Sequence, residues 1–250
     1  MNTNSQKLSG KVALVTGGSR SIGAAIAKRL AADGAAVALT YSSSPDKADE
    51  VVRAIEGAGG KALALKADAA NTEAVRAAVS KTVEKFGGID ILVNNAGLAV
   101  MGAVDKFPME DFEKLFAVNV RGLFVATQET VRHMRDGGRI INIGSVNSDR
   151  VPFVGGSVYA MTKGAVAGLT RGLARDLGPR KITVNNVQPG PVDTDMNPAD
   201  SEWGRATLPD LALGRYGRSE EIAGLVAYLA GPEASYITGA GLLIDGGYAA

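Results

Sequence analysis

The chain has 250 residues, and its 46% hydrophobic content is enough for a packed core and too high for a disordered chain. A formal net charge of +1 gives no strong attraction to nucleic acid or acidic lipid, so no nucleic-acid partner is expected. The absence of cysteine excludes disulfides and a cysteine nucleophile, and a single histidine, His133, leaves little room for a metal centre.

The first residues, Met1 to Ser9, are polar and carry only Lys7. They lack the apolar centre of a secretory signal and the arginine bias of a transit peptide. No apolar run in the sequence is long enough to span a bilayer. The sequence therefore predicts a soluble, cytoplasmic protein with no membrane partner.

In the first half, short β-branched runs alternate with helical patterns. The apolar spacing predicts three helices, one with Ile22, Ile26, Ala27 and Leu30 on one face, and two over 46–58 and 72–86. The predicted strands are Val12 to Thr16, Val37 to Tyr41, Ala62 to Ala67 and Asp90 to Asn94.

The alternation continues in the second half. A long helical region is predicted from about Pro108 to Arg135, and further helices over 158–177 and 220–230. The predicted strands are Arg139 to Gly144, Ile182 to Gln188 and Leu242 to Asp245. Such alternation requires right-handed crossovers. The sequence predicts an α/β Rossmann fold, a doubly wound, parallel seven-stranded sheet with helices on both faces, in one domain over 1–250.

The stretch from Thr194 to Arg218 is the longest break in the pattern. It contains two prolines and apolar residues that look exposed, namely Met196, Trp203, Leu208 and Leu211. A loop of this length in a compact domain is usually functional, so a substrate lid is expected at about 194–218. The alternative is an ordinary surface excursion.

A glycine-rich turn, Thr16-Gly17-Gly18-Ser19-Arg20-Ser21-Ile22-Gly23, joins the first strand to the first helix. Free backbone N–H groups and the positive end of the helix dipole at such a turn suit a pyrophosphate. The alternative is an ordinary turn between a strand and a helix.

The end of the second predicted strand favours NADP(H) over NAD(H). An acidic residue there would bind the ribose hydroxyls of NAD, but Tyr41-Ser42-Ser43-Ser44 offers hydroxyl groups and no carboxylate before Asp46. Arg20 adds a cation for a 2′-phosphate. The alternatives are a polar loop and a solvated surface charge.

Tyr159 and Lys163 are four residues apart and project from one helical face, while Ser145 ends the fifth predicted strand. A free tyrosine has a pKa of about 10, and a neighbouring ammonium would lower it. Tyr159 would exchange a proton with a substrate oxygen that Ser145 holds by a hydrogen bond. The alternative is a half-buried tyrosine and a surface lysine.

With these motifs the sequence resembles the short-chain dehydrogenase/reductase family, and most of all its 3-oxoacyl-[acyl-carrier-protein] reductase-like branch. The resemblance spans nearly the whole chain, from Gly10 to Ala249. It rests on the 16–23 turn, Asn94-Asn95-Ala96-Gly97, Asn119, Ser145, Tyr159, Lys163 and Pro189-Gly190, which occur in the family's order.

The resemblance implies roles for the matching residues. Ser145, Tyr159, Lys163 and Asn119 would form a proton relay, with Asn119 holding a water that links Lys163 to solvent. Family members of this type are usually homotetramers built on the two longest helices and the C-terminal strand. The residues expected to contact NADP(H) are Gly17, Ser19, Arg20, Ser21, Ile22, Tyr41, Ser42, Ser43, Asp68, Ala69, Asn95, Ala96, Gly97, Tyr159, Lys163, Pro189, Gly190, Val192 and Thr194.

Two features depart from the family pattern. Ser21 stands where the pattern has glycine, which would strain the backbone if its φ were positive. The spacing from Ser145 to Tyr159 is one residue longer than is common, and the extra residue falls in the loop 154–157.

The sequence predicts an NADP-dependent oxidoreductase that interconverts a ketone and a secondary alcohol. Its partner would be a small carbonyl or alcohol substrate, bound beside Val100, Met101, Val146 and Phe153. The alternative is a nucleotide-binding regulator on the same scaffold. The stretch Ile143 to Pro152 is similar to that region of family members that disperse biofilms and are proposed to bind cyclic di-GMP.

Overall fold

A computed structural model describes residues 6–250, and residues 1–5 of the polar N-terminal segment lie outside that range. Seven parallel strands form one sheet in the order β3-β2-β1-β4-β5-β6-β7. The strands are β1 Val12–Val15, β2 Ala36–Tyr41, β3 Lys61–Lys66, β4 Ile89–Asn94, β5 Met134–Ile143, β6 Thr183–Pro189 and β7 Gly241–Ile244. The predicted doubly wound parallel sheet is confirmed.

The part of the chain that the structure describes contains eight α-helices, most of which pack on the two faces of the sheet. No helix among residues 6–250 is long and apolar enough to cross a membrane. The helices are α1 Ser21–Ala32, α2 Pro45–Gly57, α3 Thr72–Phe86, α4 Met109–Phe116, α5 Leu123–His133, α6 Ser157–Leu177, α7 Glu202–Thr207 and α8 Ser219–Ala230.

The core lies on both faces of the sheet, as a parallel sheet requires. One apolar cluster packs α1 and α8 against the sheet through residues such as Ile26, Leu30 and Val226. The other packs α3 and α6 on the opposite face, with Val79 and Leu177 against the central strands. Helices thus pack on both faces of the sheet, and in such sheets ligand crevices form at the strand ends.

Strand order reverses between β1 and β4, because β2 lies on one side of β1 and β4 on the other. At such a switch point the loops after the two strands diverge and leave a crevice at the carboxyl edge of the sheet. The turn after β1 and Asn95, which follows β4, therefore share one side of that crevice.

The predicted helix over 108–135 is not uniform. A π-helical segment, Ala117–Gly122, separates α4 from α5, and the backbone extends as β5 from Met134 instead of from Arg139. A Cβ on Gly122 would lie 2.2 Å from the backbone oxygen of Ala69, so this segment lies very close to the loop after β3. Periodicity missed the π-helical segment because one wider turn barely disturbs an apolar stripe.

The 194–218 segment is more ordered than the sequence suggests. It contains α7 and a 3₁₀ turn, Leu208–Asp210. Met196 and Trp203 are exposed, as expected, whereas the expected exposure of Leu211 is wrong. Leu211 is buried with Val146, Tyr216 and Tyr248, and this cluster ties the segment to the C-terminus.

The central strands carry much of the stability. Leu92 on β4 is fully buried, and we expect Leu92→Ala to lower the free energy of unfolding by about 2–5 kcal/mol because it leaves a cavity. Leu213→Ala is the matched control, since Leu213 is 66% exposed, and a change below about 1 kcal/mol is expected. Urea unfolding measures both, and equal losses would contradict this assignment of the core.

Candidate active site

A crevice of about 770 Å³ opens at the carboxyl edge of the sheet. It brings together residues that are far apart in the sequence, including every residue predicted to contact the cofactor and Ser145. Of the four predicted relay residues only Asn119 does not line the crevice, because it lies buried behind the wall. The roles of these residues remain predictions, but their convergence is a property of the fold.

The glycine turn after β1 forms the floor at one end of the crevice. Gly17 has φ +64°, and a Cβ there would lie 2.9 Å from the Cα of Ala96. The Asn95 amide donates to the backbone oxygens of Thr16 and Gly17, at 3.0 and 2.9 Å, and so fixes the turn. The loop after β4 therefore holds the glycine turn in place through Asn95, which it can do because β1 and β4 are neighbours in the sheet.

The N-terminus of α1 points into this end of the crevice. Its N-cap residue, Arg20, makes no side-chain capping hydrogen bond within residues 6–250, which leaves the N–H groups of the first turn uncapped there. Ser19, Ser21 and Ile22 line the crevice beside them. Uncapped N–H groups at the positive end of a helix dipole are the donors that a pyrophosphate requires, so the residues present fit a dinucleotide.

Ser21 adopts the strained conformation, with φ +47°. Glycine tolerates this left-handed region, whereas a Cβ there costs about 1–2 kcal/mol. The backbone N–H of Asp195 donates to the Ser21 hydroxyl at 3.5 Å, a long contact that cannot offset this strain.

Two further charged residues, which the sequence reasoning missed, lie beside the predicted phosphate site. The Asp195 carboxylate, in the 194–218 segment, lies 3.6 Å from the Arg20 guanidinium and 3.2 Å from the Lys47 ammonium of α2. Lys47 closely follows the Ser42-Ser43-Ser44 stretch, so a search for cations along α2 could have found it. Asp195 carries no sequence signal, because it lies 148 positions beyond Lys47 in the chain.

Ser145 follows β5 closely and is buried. Its hydroxyl accepts from the backbone N–H of Asn147 at 3.1 Å and lies 3.2 Å from the Asn147 side-chain oxygen, to which it donates. The Asn147 amide in turn donates to the Arg150 carbonyl at 2.9 Å. Asn147 thus orients the Ser145 hydroxyl, a role that the sequence reasoning did not assign.

Lys163 is buried on α6, one turn beyond Tyr159. Its ammonium donates to the carbonyl of Ile143 at 3.0 Å and lies 5.7 Å from the centroid of the Tyr159 ring. Burial lowers the pKa of Lys163 to about 8, because desolvation disfavours the charged form. A surface lysine is therefore excluded.

The expected lowering of the Tyr159 pKa is wrong for this structure. Burial raises the pKa of Tyr159 above its ordinary value, and the hydrogen bond with Ser145 only partly opposes the rise. Desolvation dominates because the crevice wall removes water from the phenolate. The phenol is consequently held protonated at neutral pH.

Asn119 lies in the π-helical segment and is fully engaged. Its side-chain oxygen accepts from the Leu98 N–H at 2.8 Å, and its amide donates to the Leu98 carbonyl at 2.8 Å and to Thr162 at 3.1 Å. The side chain therefore ties the loop after β4 to α6 next to Lys163.

The other end of the crevice is mainly apolar. Met101, Val146 and Phe153 line it as expected, whereas Val100 does not. The Phe153 ring meets the Trp203 ring of α7 edge-on, with centroids 5.2 Å apart and an interplanar angle of 87°. This contact brings the 194–218 segment over the apolar end. No cluster of three or more metal-ligating side chains occurs within residues 6–250.

The chain is similar in sequence and in fold to known proteins. A family model described as "Enoyl-(Acyl carrier protein) reductase" matches residues 17–249. A short-chain dehydrogenase/reductase from Serratia marcescens has 61% identity and a TM-score of 0.96, over 98% of this chain and 100% of that one.

Two further relatives are informative. A short-chain dehydrogenase from Burkholderia cenocepacia, solved in complex with NADP, has 54% identity and a TM-score of 0.96, over 98% of this chain and 100% of that one. A cyclic-di-GMP-binding biofilm dispersal mediator protein of Escherichia coli is 48% identical over 96% of this chain and 98% of its own length.

The strain at Ser21 leads to a stability prediction. We expect Ser21→Gly to raise the free energy of unfolding by up to about 1 kcal/mol, because glycine relieves the strain but loses more entropy on folding. Ser21→Ala keeps the Cβ and serves as the control, with no gain expected. Equal stability of all three chains in urea unfolding would show that the turn is unstrained.

The buried ammonium of Lys163 predicts a pH dependence of stability. Between about pH 8 and 10 the folded chain loses this proton while the unfolded chain keeps it, so wild-type stability rises with pH relative to Lys163→Met. The difference is expected to change by at most about 1.4 kcal/mol per pH unit. Tyr159 contributes with the opposite sign above about pH 10, since its folded pKa is raised, so measurements stop there. Urea unfolding measures the difference in the free energy of unfolding between the wild type and Lys163→Met. A difference that stays the same from about pH 8 to 10 would contradict a buried Lys163 ammonium.

Proposed function

Because the chain belongs to the short-chain dehydrogenase/reductase family, we propose that it transfers a hydride between NADP(H) and a ketone or secondary alcohol. One observation carries the proposal. The Ser145 hydroxyl, the Tyr159 phenol and the Lys163 ammonium line the same crevice as the uncapped N-terminus of α1. A binding module has no use for a phenol and a buried ammonium beside its nucleotide.

The nicotinamide cofactor supplies the hydride when it is bound. At the substrate, Tyr159 donates to the carbonyl oxygen, and the Ser145 hydroxyl turns its one proton from Asn147 to the same oxygen. Both hydrogen bonds strengthen as negative charge develops on that oxygen. Tyr159 gives its proton to that oxygen in reduction and takes it back in oxidation. The raised pKa of the phenol keeps the proton available for reduction at neutral pH.

Lys163 has a positioning and binding role in this proposal. Its bond to the Ile143 carbonyl leaves two N–H donors, which suit the hydroxyls of the nicotinamide ribose. With a pKa of about 8 it also exchanges protons readily near neutrality, as a relay to Tyr159 requires. Asn119 supports the relay by tying the loop after β4 to α6.

NADP(H) is proposed over NAD(H) from the charge at the end of the crevice beside Arg20 and Tyr41 to Ser44, which would hold the adenosine and is called the adenosine end below. Arg20 lines the crevice there, and Lys47 lies next to it, paired with Asp195. The serines at 42–44 line the crevice without a carboxylate directly after β2. A 2′-phosphate finds charge-assisted donors in this set. The NADP complex of the Burkholderia relative supports the same choice.

The substrate is proposed to be a hydrophobic carbonyl compound, with the 194–218 segment as its lid. Apolar side chains line the substrate end, and the edge-on contact of Phe153 with Trp203 closes over it. A cytoplasmic homotetramer is part of the proposal. Exposed apolar side chains on α5, α6 and β7, namely Phe124, Met161 and Leu243, suit the helix and strand interfaces that the family resemblance implies.

Tyr159→Phe tests the reaction, since it removes only the hydroxyl. We expect turnover of NADPH with a panel of activated ketones to fall by about 10²-fold or more, because the proton donor is lost. The dissociation constant of NADPH is expected to stay within about twofold, because the aromatic ring that packs in the crevice wall is kept. The panel includes conjugated enoyl thioesters, because the matching family model is described as an enoyl reductase.

The panel of ketones and enoyl thioesters, together with NADPH binding, also shows which part of the proposal is wrong if the expected result is not obtained. A large loss of NADPH binding in Tyr159→Phe would make Tyr159 a structural residue, and faster reduction of carbon–carbon double bonds than of ketones would overturn the proposed substrate class. Tyr228→Phe, on an exposed tyrosine of α8, is the matched control and should leave both quantities unchanged.

A second candidate is a cyclic di-GMP-binding regulator, favoured by the 48% identity to the biofilm dispersal mediator protein. Both functions can use the dinucleotide crevice, but only catalysis uses the proton on Tyr159. Calorimetry with cyclic di-GMP and with NADPH, alongside the ketone panel, separates them. Tight binding of cyclic di-GMP with no turnover of any ketone would favour the regulator.

A further inference from the structure

A carboxylate already lies between the two cations at the adenosine end of the crevice. Asp195 lies 3.6 Å from Arg20 and 3.2 Å from Lys47, and these three residues come from the 194–218 segment, the glycine turn and α2 respectively. All three side chains are about half exposed, so the cluster faces solvent and is accessible to a ligand.

A carboxylate and a phosphate monoester compete for the same N–H donors, since both are recognised by arginine and lysine through charge-assisted hydrogen bonds. With Asp195 in place, Arg20 and Lys47 present a net charge of about +1 to a ligand, and without it about +2. The 2′-phosphate of a dinucleotide therefore meets a weaker field while Asp195 holds the cations.

Given the proposed NADP(H) specificity, on which this step rests, we infer that Asp195 is an internal counter-ion that the 2′-phosphate must displace. It is a specificity-determining residue that weakens the binding of NADPH and leaves NADH unaffected. Because Asp195 belongs to the 194–218 segment, its displacement also couples occupation of the adenosine end to the segment that covers the substrate end.

The local geometry permits such an exchange. The backbone around Asp195 is a turn closed by the Thr194 and Asn197 hydrogen bonds, and its contact with the Ser21 hydroxyl is long, at 3.5 Å. Exposed ion pairs contribute only about 0.2–1 kcal/mol each, so a phosphate with a larger charge can replace the carboxylate.

The test compares the dissociation constants of NADPH and NADH for the wild-type chain, Asp195→Asn and the control Asp200→Asn. Asp200 is an exposed carboxylate of the same segment that forms no ion pair within residues 6–250. We expect Asp195→Asn to lower the dissociation constant of NADPH about three- to tenfold, from the loss of two exposed pairs. Binding of NADH is expected to change less than about twofold, and Asp200→Asn to change neither. High salt should shrink the effect, because the groups are exposed.

A double-mutant cycle identifies the cause. In an Arg20→Gln, Lys47→Gln background, Asp195→Asn should no longer tighten NADPH binding, because the carboxylate has no cations left to hold. Weaker NADPH binding in Asp195→Asn would overturn the inference by making Asp195 an orienting partner of Arg20. Equal changes for NADPH and NADH would overturn it by making the effect general to the segment.

Binding of the two dinucleotides to the wild-type chain separates a failure of the proposed function from a failure of the inferred role of Asp195. A wild-type chain that binds neither dinucleotide overturns the proposed function and this inference with it. A wild-type chain that binds NADPH, with no change in Asp195→Asn, overturns this inference alone. Melting temperatures of the variants establish that each is folded before binding is measured.

Discussion

The geometry of the candidate active site depends on one buried contact, the hydrogen bond from the Lys163 ammonium to the carbonyl of Ile143. It joins α6 to the end of β5, two residues before Ser145, and so fixes the helix that carries Tyr159 relative to the strand that leads into the serine. Burying an ammonium is unfavourable, and the lowered pKa of Lys163 expresses that penalty. A purely structural helix contact would use an apolar side chain, so the penalty points to chemistry at this position.

The crevice has two chemically different ends, and one segment reaches both. Arg20 and Asp195, with Lys47 next to them, make the end beside the glycine turn charged, while Phe153 and Trp203 make the far end aromatic. The 194–218 segment supplies Asp195 at one end and Trp203 at the other. In the proposed function, this one segment would both respond to the 2′-phosphate and cover an apolar substrate, which would explain the length of the connection.

Two irregular backbone features lie at or next to the same crevice. Ser21 holds a positive φ at the glycine turn, and the π-helical segment places Asn119 behind Lys163. Such conformations are unfavourable by themselves and persist where neighbouring contacts overdetermine them. Here those contacts are visible, since Asn95 fixes the turn and Leu98 and Thr162 hold the Asn119 amide.

The sequence by itself determined the sheet, the glycine turn and the spacing of Tyr159 and Lys163, because apolar periodicity and short motifs are local properties of a chain. It did not determine the pKa of Tyr159, the π-helical segment, the burial of Leu211 or the Asp195 cluster. Burial and charge pairing depend on which distant residues meet. Asp195 joins Arg20 and Lys47 only because the loops after β1, β2 and β6 end at the same edge of a parallel sheet. Only the tertiary structure brings these three charged side chains together.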